Sequence, residues 1–196
     1  MKVASEISKL NFESVRAAMS GVEAVLGEFP SAGFHLKEFN VLRNSAVMST
    51  ARFSGRINFN PEYFSNAGKL AATIEAGVKS RLYPKNMSVF GAGAHEAGHI
   101  VEDWLITKYG GTAADVSSRV FPEKWVREAY IQAMKTFNSI EEFKTLPQLR
   151  ESVSRNARRL NFSECLADAI ADYIINTNQA ALLSREIWLR IKKESF

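Results

Sequence analysis

His95-Glu96-Ala97-Gly98-His99 is the most informative part of this sequence, because it places two imidazoles one helical turn apart with a carboxylate beside the first. On an α-helix each residue advances by about 100°, so His95 and His99 lie roughly 40° apart on one face. Both imidazoles can therefore reach a single metal ion. Glu96 lies about 100° from His95, which keeps it out of the same ligand set and places it to accept a proton from water. The stretch predicts a metal-binding helix with a general base beside it.

The residues around this stretch predict that the helix is buried. Uncharged residues flank it at 92–94 and 100–101, and Trp104 and Leu105 continue an apolar stripe. The chain has three histidines, and two of them have the ligand spacing. The small Ala97 and Gly98 between them allow a substrate or another backbone to approach the helix closely.

A catalytic zinc ion usually takes three protein ligands, so a third ligand is required. A second predicted helix begins near residue 161 and places Glu164 and Asp168 four residues apart on one face. Asp172 continues this face but has drifted by roughly 80° from Glu164. Asp115 is a further competitor from a different segment. The residues alone therefore leave three carboxylates as candidates for the third ligand: Glu164, Asp115 and Asp172.

The segment Glu164-Cys165-Leu166-Ala167-Asp168 resembles the Glu-x-x-Ala/Ser-Asp motif of the gluzincin metallopeptidases, the thermolysin-like group of zincins. This resemblance implies that one Zn²⁺ per chain is bound by His95, His99 and Glu164. It also implies that Asp168 holds His95 through the free ring nitrogen, which a ligating histidine needs in order to fix its tautomer.

Asp115 carries a competing resemblance. Gly111-Thr112-Ala113-Ala114-Asp115 is similar to the Gly-Thr-x-x-Asp motif of the aspzincin metallopeptidases, although Ser118-Arg119 replaces the Tyr-Gly that follows in that family. Asp115 therefore remains the main alternative to Glu164 as the third ligand.

The composition is that of a globular protein. The 196 residues are 46% hydrophobic and 23% charged, which predicts a single domain over residues 1–196 with a core and a cleft. We expect a cytoplasmic protein, because the sequence has no signal segment, no membrane span and a single cysteine. The net charge of +4 is mild, and no nucleic-acid-binding motif accompanies it, so nucleic acid is not an expected partner.

The pattern of apolar residues predicts an α+β fold that is mostly helical. Residues 1–30 contain a predicted helix over 5–26, and residues 33–60 read as a small antiparallel sheet. Residues 67–196 form the helical part with the metal site. Its predicted helices span 67–79, 91–109, 122–136, 146–158, 162–176 and 180–193.

This order resembles the minimal zincin plan, in which a small, antiparallel-edged sheet packs on the H-E-x-x-H helix. In that plan an edge strand pairs with the backbone of the substrate. The predicted edge strand is Gly55–Asn60, with Ile57 and Phe59 facing inward and with Arg56 and Asn58 facing solvent. A core strand without a role in substrate binding is the alternative.

The loop Arg81–Asn86 before the H-E-x-x-H helix also resembles the zincin domains of phage minor head proteins and related mobile-element proteins. A strand like Ile57–Asn60 precedes both features there, and the likeness covers about residues 40–175. It implies a bacterial or phage origin and a place within a larger phage or mobile-element protein.

Two functions follow from these features. The first is a zinc metalloendopeptidase acting on a peptide or protein substrate, with Glu96 as the general base. The second is a phage- or mobile-element-associated structural or effector module with little or no turnover. The peptidase requires a donor to the oxyanion, for which Tyr130, Tyr83 and an arginine such as Arg158 are the candidates.

Overall fold

The computed structural model describes residues 1–112, 120–138, 140 and 142–195. The predicted α+β class is confirmed, because most of the described chain is helical and a four-stranded sheet accompanies the helices. Every described helix is too short or too polar to cross a membrane. The described helices are α1 (Phe12–Glu28), α2 (Pro30–Gly33), α3 (Pro61–Phe64), α4 (Ala67–Lys79), α5 (Val89–Lys108), α6 (Val120–Met134), α7 (Leu146–Val153), α8 (Arg155–Arg159), α9 (Phe162–Asn176) and α10 (Leu182–Lys192).

The predicted helix over residues 5–26 was wrong at its start. Ser5–Lys9 forms a short 3₁₀ helix, and Leu10 is extended. Asn11 then begins α1, because its side chain accepts the backbone N–H of Ser14. The local hydrogen bond of this cap outweighs the apolar periodicity that continues across it.

The sheet is mixed, whereas an antiparallel sheet was predicted. Its strands are β1 (Lys2–Val3), β2 (Glu38–Val41), β3 (Met48–Ala51) and β4 (Arg56–Phe59). The order is β1-β2-β4-β3, with β1, β2 and β4 parallel and β3 antiparallel to β4. The sheet therefore has one antiparallel edge, β3, and its other edge is an N-terminal strand that was not predicted.

The predicted edge strand Gly55–Asn60 lies inside the sheet, so this prediction was wrong. Within it β4 pairs with β2 on one side and β3 on the other. Ile57 and Phe59 are buried as predicted, but Asn58 is buried too, and its amide donates to Ser49 O at 3.1 Å. Short strands do not reveal their order, because the order depends on pairing between distant segments.

Helix α5 lies at the centre of the molecule and packs closely against α1. A Cβ on Gly93 would lie 1.9 Å from Ala18 O, and a Cβ on Gly21 would lie 1.9 Å from Phe90 O. The two helices can approach this closely only because each has glycine at the crossing. The H-E-x-x-H helix is thereby held against α1.

The helices predicted at 67–79, 91–109, 122–136, 162–176 and 180–193 agree with the structure to within two residues, whereas the range 146–158 does not. The four-residue helices α2 and α3 were not predicted. The range 146–158 contains α7 and α8, separated by Ser154 in an extended conformation. The Ser154 side chain accepts the backbone N–H of Ala157 at 2.7 Å and so begins α8. The same hydroxyl donates to Asp168 on α9.

Candidate metal centre

The H-E-x-x-H residues lie in the middle of α5, which spans 20 residues. Ser88 begins this helix by accepting the N–H of Gly91. The rings of His95 and His99 have centroids 4.9 Å apart, and their planes are inclined at 87°. Both rings thus lie on one face of α5, as the helical spacing predicts.

Glu164 on α9 completes a group of three potential metal ligands. Its Oε2 lies 3.4 Å from His95 Nε2, and its Oε1 lies 3.6 Å from His99 Nε2. The ligand atoms of these three residues all lie within 4.8 Å of one another. The structure therefore brings together the three predicted ligands at metal-binding distance.

The donor set and its spacing fit a zinc ion. Tetrahedral zinc with bonds of about 2.1 Å has neighbouring ligand atoms about 3.4 Å apart. Both measured nitrogen-to-oxygen distances agree with this spacing. Two imidazoles and one carboxylate are a ligand set of catalytic zinc sites, in which a fourth position stays open.

A close contact between α5 and α9 sets this geometry. A Cβ on Gly98 would lie 2.9 Å from Ala167 Cα and 3.3 Å from Ala167 Cβ. The backbones therefore meet where α5 has no side chain, as predicted for this small residue. Glu164 and Asp168 flank the contact on α9 and face the two histidines.

Asp168 supports His95 as predicted. Its Oδ1 lies 2.8 Å from His95 Nδ1, and its Oδ2 accepts the Ser154 hydroxyl at 2.5 Å. Asp168 is fully buried. A buried carboxylate on Nδ1 favours a proton there and leaves Nε2 to face Glu164, which is the orientation that a metal ligand needs.

His99 has a corresponding support that was not predicted. Glu102, one turn further along α5, is fully buried, and its Oε2 lies 3.6 Å from His99 Nδ1. The Ser163 hydroxyl donates to the same oxygen at 2.5 Å. Arg52 Nη1 lies 3.2 Å from that oxygen and donates to Ser163 Oγ at 2.7 Å. We call Arg52, Ser163 and Glu102 the His99 network.

The charges of the centre favour a cation between the two helices. Burial alone lowers the pKa of His95, but its hydrogen bonds with Asp168 and Glu164 outweigh burial and hold that pKa well above the usual value. Burial alone raises the pKa of Glu164, yet its hydrogen bond with His95 and the charges of both histidines lower it to about 2. The carboxylates thus stabilise positive charge where the ligand atoms meet.

Glu96 is held beside the ligands and is not one of them. The Thr50 hydroxyl lies 2.8 Å from Glu96 Oε2 and 3.0 Å from Glu96 O. Thr50 belongs to β3, so the sheet packs on the H-E-x-x-H helix at this residue, as predicted. Glu96 is 7% exposed and lines a cleft, where a base can meet a substrate.

The cleft has a volume of about 800 Å³ and is bordered by β3 and by the segment before it. Tyr83 lines the cleft, and its ring occupies the space beside Gly77, where a Cβ would lie 2.2 Å from the ring. Burial raises the pKa of the Tyr83 phenol, so the hydroxyl keeps its proton and remains a donor. Tyr83 is therefore brought to the site.

The other candidates lie elsewhere or outside the described residues. Tyr130 packs against the core and is not among the described residues that line the cleft. Arg158 forms an ion pair with Glu151 and does not line the cleft either. Asp172 accepts hydrogen bonds from Asn176 and from the backbone of Ala181, away from the ligands. Asp115 lies outside the described residues.

Five polar residues of the site were missed in the sequence, namely Glu102, Ser163, Thr50, Arg52 and Ser154. Ser163 directly precedes Glu164, but its role depends on packing against Glu102, and only Glu102 had a usable signal. Glu102 follows His99 by three residues, so helical spacing already places it on the same face as that ligand. Thr50, Arg52 and Ser154 lie in other segments and reach the site only through tertiary packing. Nothing in their local sequence distinguishes them.

Comparisons with protein-family models, with curated proteins and with solved structures found no match. The geometry of the candidate metal centre and its cleft is therefore what points to a function for this chain.

Proposed function

We propose that this protein is a zinc-dependent peptidase with a minimal zincin fold of the gluzincin type. The observation that carries the proposal is the position of Glu96. It lies next to a group of two histidines and one glutamate, outside that group, and at the wall of a cleft. A site that served only to hold the fold together would need the ligands but would have no use for a base facing a cleft.

The three ligands would be His95, His99 and Glu164. When bound there, zinc polarises a carbonyl oxygen and lowers the pKa of water, which is the chemistry that peptide hydrolysis requires. Glu96 accepts the proton of the attacking water and later returns it to the leaving amine. Thr50 holds the Glu96 carboxylate in place for both transfers.

Tyr83 is the donor that we propose for the oxyanion. Its hydroxyl keeps its proton, and its ring is seated on α4 beside Gly77. The loop that carries it is fixed from two further sides. The backbone N–H of Arg155 donates to Arg81 O at 2.7 Å, and Asn176 Nδ2 donates to Lys85 O at 2.9 Å. A donor held this firmly needs little reorganisation during the reaction.

Strand β3 is the edge to which we propose that the substrate binds, in place of the predicted Gly55–Asn60. Asn60 N donates to Val47 O, so Val47 and Asn60 form a hydrogen-bonded pair of the antiparallel ladder. Hydrogen-bonded and non-hydrogen-bonded pairs alternate along such a ladder. The N–H and C=O groups of Met48 and Thr50 therefore point away from β4. These groups are free to pair with an extended peptide across the cleft. The substrate class is accordingly an extended segment of a protein or peptide.

Hydrolysis of an unfolded protein by the purified, zinc-supplemented chain tests the proposal. We expect release of peptides from labelled casein, and we expect Glu96→Gln to keep its zinc and its thermal stability while losing activity. The amide preserves the size of the side chain but cannot accept a proton at neutral pH. Loss of general-base assistance costs about 10² to 10⁴ in rate.

Two results would contradict the proposal. A Glu96→Gln variant with full activity would exclude Glu96 as the base, and a variant without zinc would make Glu96 a ligand. Zinc binding without any turnover, on casein and on a panel of short peptides, would favour the alternative of a non-catalytic phage or mobile-element module.

A further inference from the structure

The two ligand histidines are supported differently on their Nδ1 side. His95 has a direct contact of 2.8 Å with Asp168. His99 Nδ1 lies 3.4 Å from Ser163 Oγ and 3.6 Å from Glu102 Oε2, so no single strong partner determines its protonation. The orientation of His99 as a ligand must therefore depend on the His99 network as a whole.

Counting protons in this network determines which nitrogen of His99 carries the hydrogen. The hydroxyl of Ser163 has one proton, and Glu102 Oε2 accepts it at 2.5 Å. Arg52 Nη1 in turn donates to Ser163 Oγ. The serine oxygen and the carboxylate then offer His99 only lone pairs. His99 Nδ1 consequently carries the hydrogen.

His99 Nε2, the other ring nitrogen, is less favourable as the site of that hydrogen. His99 Nε2 lies 3.6 Å from Glu164 Oε1, but the Glu164 side chain is 29% exposed. Glu102 is fully buried, so its carboxylate is shielded from solvent. A bare lone pair on His99 Nδ1 facing this buried carboxylate would be far more costly than one on Nε2 facing Glu164. The lone pair of His99 is thus directed at the ligand group.

Arg52 holds the network in place from outside α5 and α9. It follows β3 directly, and its Nε donates to Asp103 Oδ1 at 2.6 Å. The backbone N–H of Phe53 donates to Asp103 Oδ2 at 2.6 Å. Glu102 Oε1 is buried and has no hydrogen-bond partner among the described residues, so the guanidinium supplies the charge that balances this carboxylate. The edge strand and the histidine are joined by one chain of contacts.

We propose that the His99 network is a positioning device that holds His99 as the Nδ1-protonated tautomer and ties this ligand to strand β3. The inference rests on the proposed function, because it takes His99 as a zinc ligand and β3 as the border of the substrate cleft. Glu102 is fully buried, whereas Arg52 and Ser163 also line the cleft. The three residues act on the metal centre through His99, so their removal should weaken zinc binding.

The tautomer of His99 in the unmodified, metal-free chain is the first test. Long-range proton–nitrogen correlation spectra of the ¹⁵N-labelled protein distinguish protonated from unprotonated ring nitrogens, and three histidines give a simple spectrum that single substitutions can assign. At pH 9 we expect a protonated Nδ1 and an unprotonated Nε2 on His99. The reverse pattern would overturn the proposal.

Zinc affinity in full-length variants is the second test, measured by competition with a chelator. We expect Glu102→Gln and Arg52→Met to bind zinc about 10- to 100-fold more weakly. Losses of this size are typical when a residue that holds a metal ligand in place is removed. Arg56→Met is the matched control, since Arg56 forms an exposed ion pair with Glu38 on the same sheet and should stay within twofold of the parent. Ser163→Ala replaces either variant if it fails to fold.

The outcomes separate this inference from the proposed function. Folded Glu102→Gln or Ser163→Ala chains with the affinity of the Arg56→Met control would overturn the inference and leave the peptidase untouched. A parent chain that binds no zinc would refute the proposed function. The tautomer of His99 in the metal-free chain would still decide the inference in that case.

Discussion

Thr50 Oγ1 lies 2.8 Å from Glu96 Oε2, so the edge strand β3 holds the carboxylate that we propose as the general base. Thr50→Val removes the hydroxyl and keeps the shape of the side chain. Hydrogen bonds to charged groups contribute about 1.5–3 kcal/mol, and about 1.4 kcal/mol changes a rate tenfold. We therefore expect kcat to fall at least about tenfold, with zinc content unchanged, in steady-state assays on a peptide that the parent cleaves.

Thr50→Ser is the control for this prediction, because it keeps the hydroxyl and should keep most of the activity. If Thr50→Val retained the kcat of the parent, the contact with Glu96 would have no part in catalysis. If it lost zinc, the strand would act on the metal site and not on the base.

Asp168→Ala should weaken zinc binding by about 10- to 100-fold without abolishing it, because Asp168 contacts His95 Nδ1 and no metal-facing atom. Glu164→Ala should lose more of the zinc affinity, because this change removes a proposed ligand. Asp172→Ala is the control, a buried carboxylate on the same helix that bonds to Asn176. Calorimetric titration with zinc measures all three. A zinc-free Asp168→Ala beside a zinc-bound Glu164→Ala would mean that the two roles are reversed.

Helical periodicity made part of the candidate ligand group predictable from sequence. It places His95 and His99 on one face of α5, and Glu164 and Asp168 on one face of α9. The choice of Glu164 over Asp115 and Asp172 came from the resemblance to the gluzincin metallopeptidases. The small Gly98 indicated where the two helices meet. In a long buried helix the spacing of side chains repeats in every turn, so the residues that share a face can be predicted from the sequence.

The sheet could not be predicted to the same degree. Its strands are two to four residues long, and β1 lies about 35 residues before its partner β2. Strand order then depends on packing between distant segments, which local patterns do not encode. Arg52 was missed for the same reason, since its partner Asp103 lies 51 residues further along the chain.

Gly98→Ala should separate the two halves of the metal centre. The added Cβ would lie 2.9 Å from Ala167 Cα, and a helix backbone cannot yield locally, so α9 must move away from α5. We expect a lower melting temperature and a loss of zinc affinity of at least about tenfold, which corresponds to roughly 1.4 kcal/mol. Thermal unfolding and chelator competition measure the two effects.

Gly27→Ala provides the comparison for this variant. Gly27 lies in α1, and in the described part of the chain no atom outside its own helix turn and chain neighbours lies within 4 Å of an added Cβ. Alanine should therefore leave zinc binding unchanged and stabilise the helix slightly. Equal zinc affinities for the two variants would show that the contact with Ala167 does not set the spacing of the ligands.

The stability of the metal-free chain should depend on pH through His95 and Glu164. The raised pKa of His95 gives a stabilisation that is complete below its unfolded value of 6.5 and is lost as the pH rises through the folded pKa. The lowered pKa of Glu164 gives a stabilisation that is complete above 4.5 and is lost as the pH falls towards about 2. Both contributions are therefore complete between pH 4.5 and 6.5.

We accordingly expect the melting temperature of the metal-free chain to fall as the pH rises above 6.5, and this dependence to disappear in His95→Gln. Zinc needs an unprotonated Nε2 on His95, so the added stability from zinc should grow over the same range. Scanning calorimetry from pH 5 to 9, with chelator or with zinc, measures both trends. A zinc effect that was larger at pH 5.5 than at pH 8 would contradict the assignment of His95 as a ligand.

Tyr83→Phe should reduce catalysis while leaving the metal centre intact. Loss of one donor to an oxyanion costs about 10² to 10³ in kcat, and phenylalanine still fills the space beside Gly77. Because the donor acts mainly in the transition state, KM should change little. Tyr130→Phe is the control, since Tyr130 packs against the core away from the cleft and should retain full activity. Equal kcat values for the two variants would exclude Tyr83 as the donor, and the stabilising group would then have to come from another residue that lines the cleft.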